Sequence, residues 1–221
     1  MKNILTITIA LFALMQNTQA QNINWRSIGE NQQNIVSLST GYDYSLMVQT
    51  DYYRVINTFR PIAVGANFSI PMGKTVFDDF KIEYGGLIEV YEIRDFSFTA
   101  GVMGNFRQHK TGFVTMSSFG LDLSATIGYY RPKWHVAIEG GFDKAISTHL
   151  KHSDEMREIY PGIADGWMTA TGGNFYYGIQ GSKTIGERFD INLRAGFTNA
   201  QFKDMNAVLP YYAQIGVNFR F

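Results

Sequence analysis

One short stretch gathers side chains capable of chemistry: His149-Leu150-Lys151-His152-Ser153-Asp154-Glu155. Two imidazoles three residues apart beside carboxylates are ligand types that Zn²⁺ accepts, with His149, His152 and Asp154 as the candidate donors. Ser153, set between a histidine and an acid, adds the residue types of nucleophilic hydrolysis. Neither spacing matches a specific motif. The cluster also opens the longest stretch without strand pattern, residues 148–172, where charged side chains are ordinarily solvated. His109 and His135 stand alone in sequence. The expectation is no enzymatic activity, no metal and no cofactor. The chain has no cysteine, which excludes disulfides, thiolate metal sites and cysteine nucleophiles.

The remaining charged residues follow a rule. In GYYRPKWHVAIEGGF, residues 128–142, the set Trp134, Val136, Ile138, Gly140 and Phe142 alternates with His135, Ala137, Glu139, Gly141 and then Asp143. A period of two is that of a strand with one apolar and one polar face. The pattern repeats along the chain. Ile82, Tyr84, Ile88 and Val90 oppose Lys81, Glu83 and Glu89, and Phe98, Ala100, Val102 and Phe106 oppose Thr99, Asn105 and Arg107. Leu121, Leu123 and Ile127 oppose Asp122, Ile191 and Leu193 oppose Asp190 and Arg194, and Ile215, Val217 and Phe219 oppose Arg220.

Connections alternate in length. Glu92–Asp95, Arg131–Lys133 and Gly186–Arg188 are short, whereas residues 108–114, 148–172 and 199–209 are longer. Tight turns on one side and long loops on the other are the habit of transmembrane β-barrels, and apolar runs near ten residues suit a tilted membrane strand. No stretch of the mature chain is long and apolar enough for a spanning helix, so a membrane form must be a closed barrel. Tyr129, Tyr130 and Trp134 bracket the Arg131–Lys133 turn, where an interfacial aromatic girdle is expected. In that geometry Lys81, Glu83, Glu89, Arg107, Asp122, His135, Glu139, Asp143, Asp190, Arg194 and Arg220 line the lumen, either as an ion-paired polar core or as the wall of a narrow pore.

Residues 1–20, with Lys2, the apolar run Ile4–Met15 and Thr18-Gln19-Ala20, are expected to be a secretory signal peptide. Residues 21–33, polar except for Trp25, are expected to be a flexible lead-in, and residues 34–221 the barrel. The strand count lies between eight and ten, with ten favoured by splitting residues 34–53 at Gly41–Tyr44. The 19 basic and 19 acidic residues balance, which gives no argument for a nucleic-acid partner.

The final alternating strand ends in Phe221. In this the chain resembles bacterial outer-membrane β-barrel proteins, whose last strand commonly ends in Phe. The resemblance implies outer-membrane localisation, contact with outer-membrane lipid, and reading of the C-terminal strand by the assembly machinery. The Gln-rich cleavage region and FDKAISTHLKHSDE…TGGNFYYG resemble small barrels of Bacteroidetes-type bacteria, a likeness that implies no activity. The functional expectation is a structural or surface-interaction role. In that role Tyr160-Pro161-Gly162-Ile163 and Asp165-Gly166-Trp167-Met168 of the 148–172 loop present a surface for a ligand or fold onto the rim. The alternatives are a narrow small-solute channel and a membrane-embedded hydrolase at His149 and His152.

Overall fold

The computed structural model describes residues 22–29, 31–73, 77–169, 172–202, 207 and 209–221. The expected signal peptide lies outside the described residues. Among the described residues, eleven strands follow a one-turn 3₁₀ helix at Trp25–Ser27. They are β1 (Asn34–Tyr42), β2 (Leu46–Ile56), β3 (Ile62–Pro71), β4 (Asp79–Ile93), β5 (Phe96–Lys110), β6 (Val114–Arg131), β7 (Trp134–His152), β8 (Gly166–Thr169), β9 (Gly173–Ile185), β10 (Phe189–Ala200) and β11 (Tyr211–Arg220). A short helix, α1 (Asp154–Ile159), precedes β8.

Neighbouring strands pair antiparallel throughout, and the pairing of β1 with β11 and of β6 with β7 closes the ring. Ten strands form it. β8 pairs only with the outer end of β7, Ser147 to Leu150, and stands outside the ring. The split near residue 41 is observed, with the turn itself at Asp43–Ser45. The end carrying the turns at Arg94-Asp95, Pro132-Lys133 and Gly186–Arg188 also carries the β1 start and the β11 end. We call it the turn end and the other the loop end. Arg94 and Gly186 take positive φ of 55° and 64°, the left-handed backbone that such tight reversals need.

The side-chain distribution is inside out. Leu38, Tyr84, Ile127, Ile138, Ile179, Leu193 and Ile215 are exposed on the outer wall, Ile138 by 64 %, while Lys81, Glu83, Glu139, Asp143 and Arg220 are buried. A wall of this kind is stable only against an apolar medium, and a closed ring leaves no strand edge unpaired there. The chain is therefore a membrane-spanning barrel.

Three expectations need correction. The segment 21–33 is no free lead-in over residues 22–28. Asn22, Ile23, Asn24 and Trp25 are buried inside the barrel. The 148–172 loop is shorter than expected, because β7 runs on to His152 and β8 pairs back onto it. Tyr130 is not part of an outer girdle: it is 1 % exposed and stacks inside on His135, with ring centroids 4.7 Å apart. Adjacent strand residues point to opposite faces, so Tyr129 and Tyr130 cannot share one. Tyr129 and Trp134 do meet on the outer face, 5.5 Å apart.

Candidate functional site in the barrel lumen

All eleven residues expected to line the lumen are buried. Strand alternation aims them inward, and cross-strand pairing sets who meets whom. Glu139 on β7 receives the Arg194 Nε of β10 at 2.7 and 2.9 Å and the Tyr212 hydroxyl of β11 at 2.6 Å. The Arg194 guanidinium also lies over the Tyr212 ring, 4.5 Å from its centre. The Tyr176 hydroxyl donates to Asp122 at 3.3 Å. The Tyr176 and Tyr212 rings fit because the wall beside them is glycine. A Cβ at Gly141 would collide with the Tyr176 ring, and one at Gly196 with that of Tyr212.

Other pairs run along the wall. Lys81 contacts Glu83 at 2.6 Å and approaches Asp143 to 4.0 Å, and Asn105 donates to Asp143 at 2.8 Å. Arg220 meets Asp190 at 3.1 Å near the turn end, where Thr184 also donates to Asp190 at 2.6 Å. The His135 ring nitrogen Nδ1 shares a 2.8 Å hydrogen bond with Ser182. Toward the loop end Arg107 and His109 both reach Asp79, at 3.1 and 2.8 Å. Glu89 accepts from Ser97. Buried charges arranged in this way are paired and hydrogen-bonded, the condition on which they are tolerated away from water.

Two parts of the chain that are not wall fill the bore. From the turn end, residues 22–28 run up the inside. Asn22 donates to the Gly181 and Leu193 carbonyls at 2.9 and 3.1 Å, and Asn24 to the Arg131 carbonyl at 2.9 Å. Trp25 Nε1 donates to Thr99 at 2.9 Å, and Arg26 binds Glu89 and Glu92 at 3.1 and 2.6 Å. Ile23 and Trp25 join an apolar cluster with the inward-facing Ile35, Val55, Leu87 and Tyr130. From the loop end, the β1–β2 turn dips inward. Asp43 and Tyr44 are buried there, and the Tyr44 ring lies under Arg107 at 4.1 Å. Two small spaces inside, of about 30 Å³ and about 10 Å³, abut the inserted segment: Asn22 lines the first, Ile23 and Trp25 the second.

The inserted segment escaped sequence reasoning, although a signal existed. Ile35, Val55, Ala63 and Leu87 form an apolar patch on the face that carries the buried charged residues. Such a patch inside a barrel has to be covered by something.

The histidine cluster does not assemble. His149 points outward onto Trp167, 5.0 Å between ring centres, whereas His152 points inward. Their spacing of three puts them on opposite faces of one strand. Asp154 is solvated at the start of α1. His152 instead uses its backbone N–H and Nδ1 on Asp165, at 2.8 and 3.1 Å, and Arg157 closes onto the same carboxylate at 2.6 Å. The Asp165 carboxyl is held below the usual carboxylate range, first by the His152 N–H and then by the His152 side chain and Arg157. Ser153 caps α1 through Met156 N at 3.2 Å. Among the described residues no three histidine or acidic side chains converge as a metal site. Phe221 lies on the outer face, stacked on Phe219 at 5.6 Å, with its backbone paired to Asn34.

No protein-family model and no curated protein matches the chain. Among solved structures it is similar to a KdgM porin, with a TM-score of 0.41 and 8 % identity over 85 % of this chain and 99 % of that one. A KdgM porin in complex with disordered oligogalacturonate matches with a TM-score of 0.40 and 8 % identity over the same shares.

Proposed function

We propose that the protein is a narrow channel for small polar solutes in the outer membrane of a Gram-negative bacterium of the Bacteroidetes type, held shut by its own inserted segments. One observation carries this reading. A ring of ten strands is wider than eight, the size at which wall side chains alone just fill the interior. Here the extra bore is filled by residues 22–28 and by the β1–β2 turn, neither of which belongs to the wall. Neither is part of the hydrogen-bonded ring; both are held inside it by side-chain hydrogen bonds, ion pairs and one small apolar cluster, so a path opens where they withdraw. The charged middle of the lumen suits hydrated solutes. Assembly through the C-terminal strand at Phe221 and an interaction role for the Trp167 region belong to the same proposal.

Planar-bilayer recording decides it. The mature barrel is expected to conduct rarely, and a variant lacking residues 22–29 to show a steady open level. A deletion variant that folds, judged by heat-modifiable gel mobility, yet stays silent would remove the channel. A purely structural barrel is the second reading, favoured by the burial of Asn22, Ile23, Trp25 and Tyr44 in the bore.

A further inference from the structure

The larger internal space has a chemistry of its own. Every one of the ten side chains around it is polar. Pairing sets three of them side by side across β1, β2 and β3: Ser37 opposite Asp51, and Asp51 opposite Asn67. Gln49 lies one inward position along from Asp51, and Asn22 reaches in from the inserted segment. These five residues are all more than nine-tenths buried.

Their oxygens are the notable part. Among the described residues, Asn22 Oδ1, Ser37 Oγ, Gln49 Oε1 and Asn67 Oδ1 have no hydrogen-bond partner. The amide orientations are set by what their nitrogens do. Asn22 Nδ2 donates to two carbonyls at 2.9 and 3.1 Å, Gln49 Nε2 to Asp51 at 2.5 Å, and Asn67 Nδ2 to Glu83 at 2.8 Å. With each nitrogen committed, each oxygen is left as the free acceptor of a side chain that lines the cavity. Four neutral oxygens and one carboxylate make a hard, all-oxygen set, which is what hard cations select. About 30 Å³ admits one or two water-sized particles and no hydrated ion. One carboxylate balances one positive charge, whereas a divalent ion would leave an uncompensated charge in a low-dielectric interior. The Arg194 guanidinium at the far side is already matched by Glu139 at 2.7 Å, and Gln214 there offers a donor nitrogen suited to a bridging water. The wider lumen is acidic too: eight carboxylate residues are buried among the described residues against four lysines and arginines.

We propose that this chamber binds a dehydrated monovalent metal cation, with Asp51 supplying the charge and Asn22, Ser37, Gln49 and Asn67 the neutral oxygens. The site rests on the cavity and not on conduction, although a channel built around it would favour cations over anions.

Crystals of the full barrel grown in a rubidium salt test it by anomalous diffraction. A rubidium peak inside the chamber is expected in the wild type, and its loss in Asp51→Asn. Should Asp51→Asn fail to fold, Ser37→Ala removes one neutral oxygen and is expected to weaken the peak. A wild-type chamber without anomalous signal overturns the proposal, as does a peak undiminished in Asp51→Asn. The result is independent of the bilayer recordings: a silent deletion variant together with rubidium bound in the wild type sinks the channel alone, and a conducting deletion variant with no rubidium in the wild type sinks the site alone.

Discussion

At the residue scale, the clearest dependence is between Arg194 and Glu139. Removing one partner of a buried pair leaves the other as an uncompensated charge, which typically costs ~3–5 kcal/mol. Arg194→Met is expected to lower stability by about that much in denaturant unfolding into detergent micelles, because Glu139 keeps only the Tyr212 hydroxyl. The double variant Arg194→Met with Glu139→Gln is expected to recover most of the loss. If single and double variants unfold alike, the pair is not the anchor of this part of the lumen. Outside the membrane, Asp165 braces the loop between β7 and β8. Its folded pKa lies below the ordinary value of 3.8. A depressed carboxylate contributes stability that is fully present above the unfolded pKa and lost as pH falls through the folded one. Loop proteolysis is therefore expected to stay flat from neutral pH to about 4 and to rise below it. Asp165→Asn is expected to be cut readily at all pH values.

At the element scale, the strands and their inserts make separate demands. The outer face of β7 is lipid-facing, and Ile138 pairs with Ile127 on one side and Ile179 on the other. Ile138→Arg puts a charge among acyl chains and is expected to cost ~2–4 kcal/mol if it lies near the midplane. Gln180→Arg, on the inner face of the neighbouring strand, is expected to be milder in the same refolding assay. The 3₁₀ helix at Trp25–Ser27 matters differently, since Trp25 joins the apolar patch of Ile35, Val55 and Leu87 to the Thr99 hydroxyl. Trp25→Ala leaves that patch under a cavity. It is expected to destabilise by ~3 kcal/mol and to raise the frequency of openings in bilayer recordings. By contrast, β8 pairs its backbone with β7 outside the ring and adds only the Trp167 ring against Phe119 of β6, so replacing residues 154–172 with a short turn is expected to leave heat-modifiable mobility unchanged.

At the scale of the whole molecule, ring closure decides both stability and any transport. The β1–β11 seam joins the two ends of the barrel through eight register positions, and Asn34 and Phe221 exchange backbone hydrogen bonds of 2.9 Å beyond it. Truncating the chain before Tyr211 is expected to leave an open sheet and abolish the fast-migrating unheated form on gels. The local pattern was enough to determine the class of wall. Side chains in a strand alternate by covalent geometry, so Glu139, Asp143, Arg194 and Arg220 could be assigned to one face from residue types alone. The asymmetry of connections showed which end of the barrel carries the turns. The turn residues Gly41–Tyr44, which split residues 34–53 into two strands, favoured ten strands over eight. Tertiary structure alone decided what fills the lumen. Asn22, Ile23 and Trp25 meet their partners Leu193, Leu87 and Thr99 across the ring, more than sixty residues away in sequence, and no periodicity records a contact of that kind. The histidine cluster came apart for the same reason in reverse: neighbours along a strand are divided between two environments, and only the closed ring shows how different those environments are.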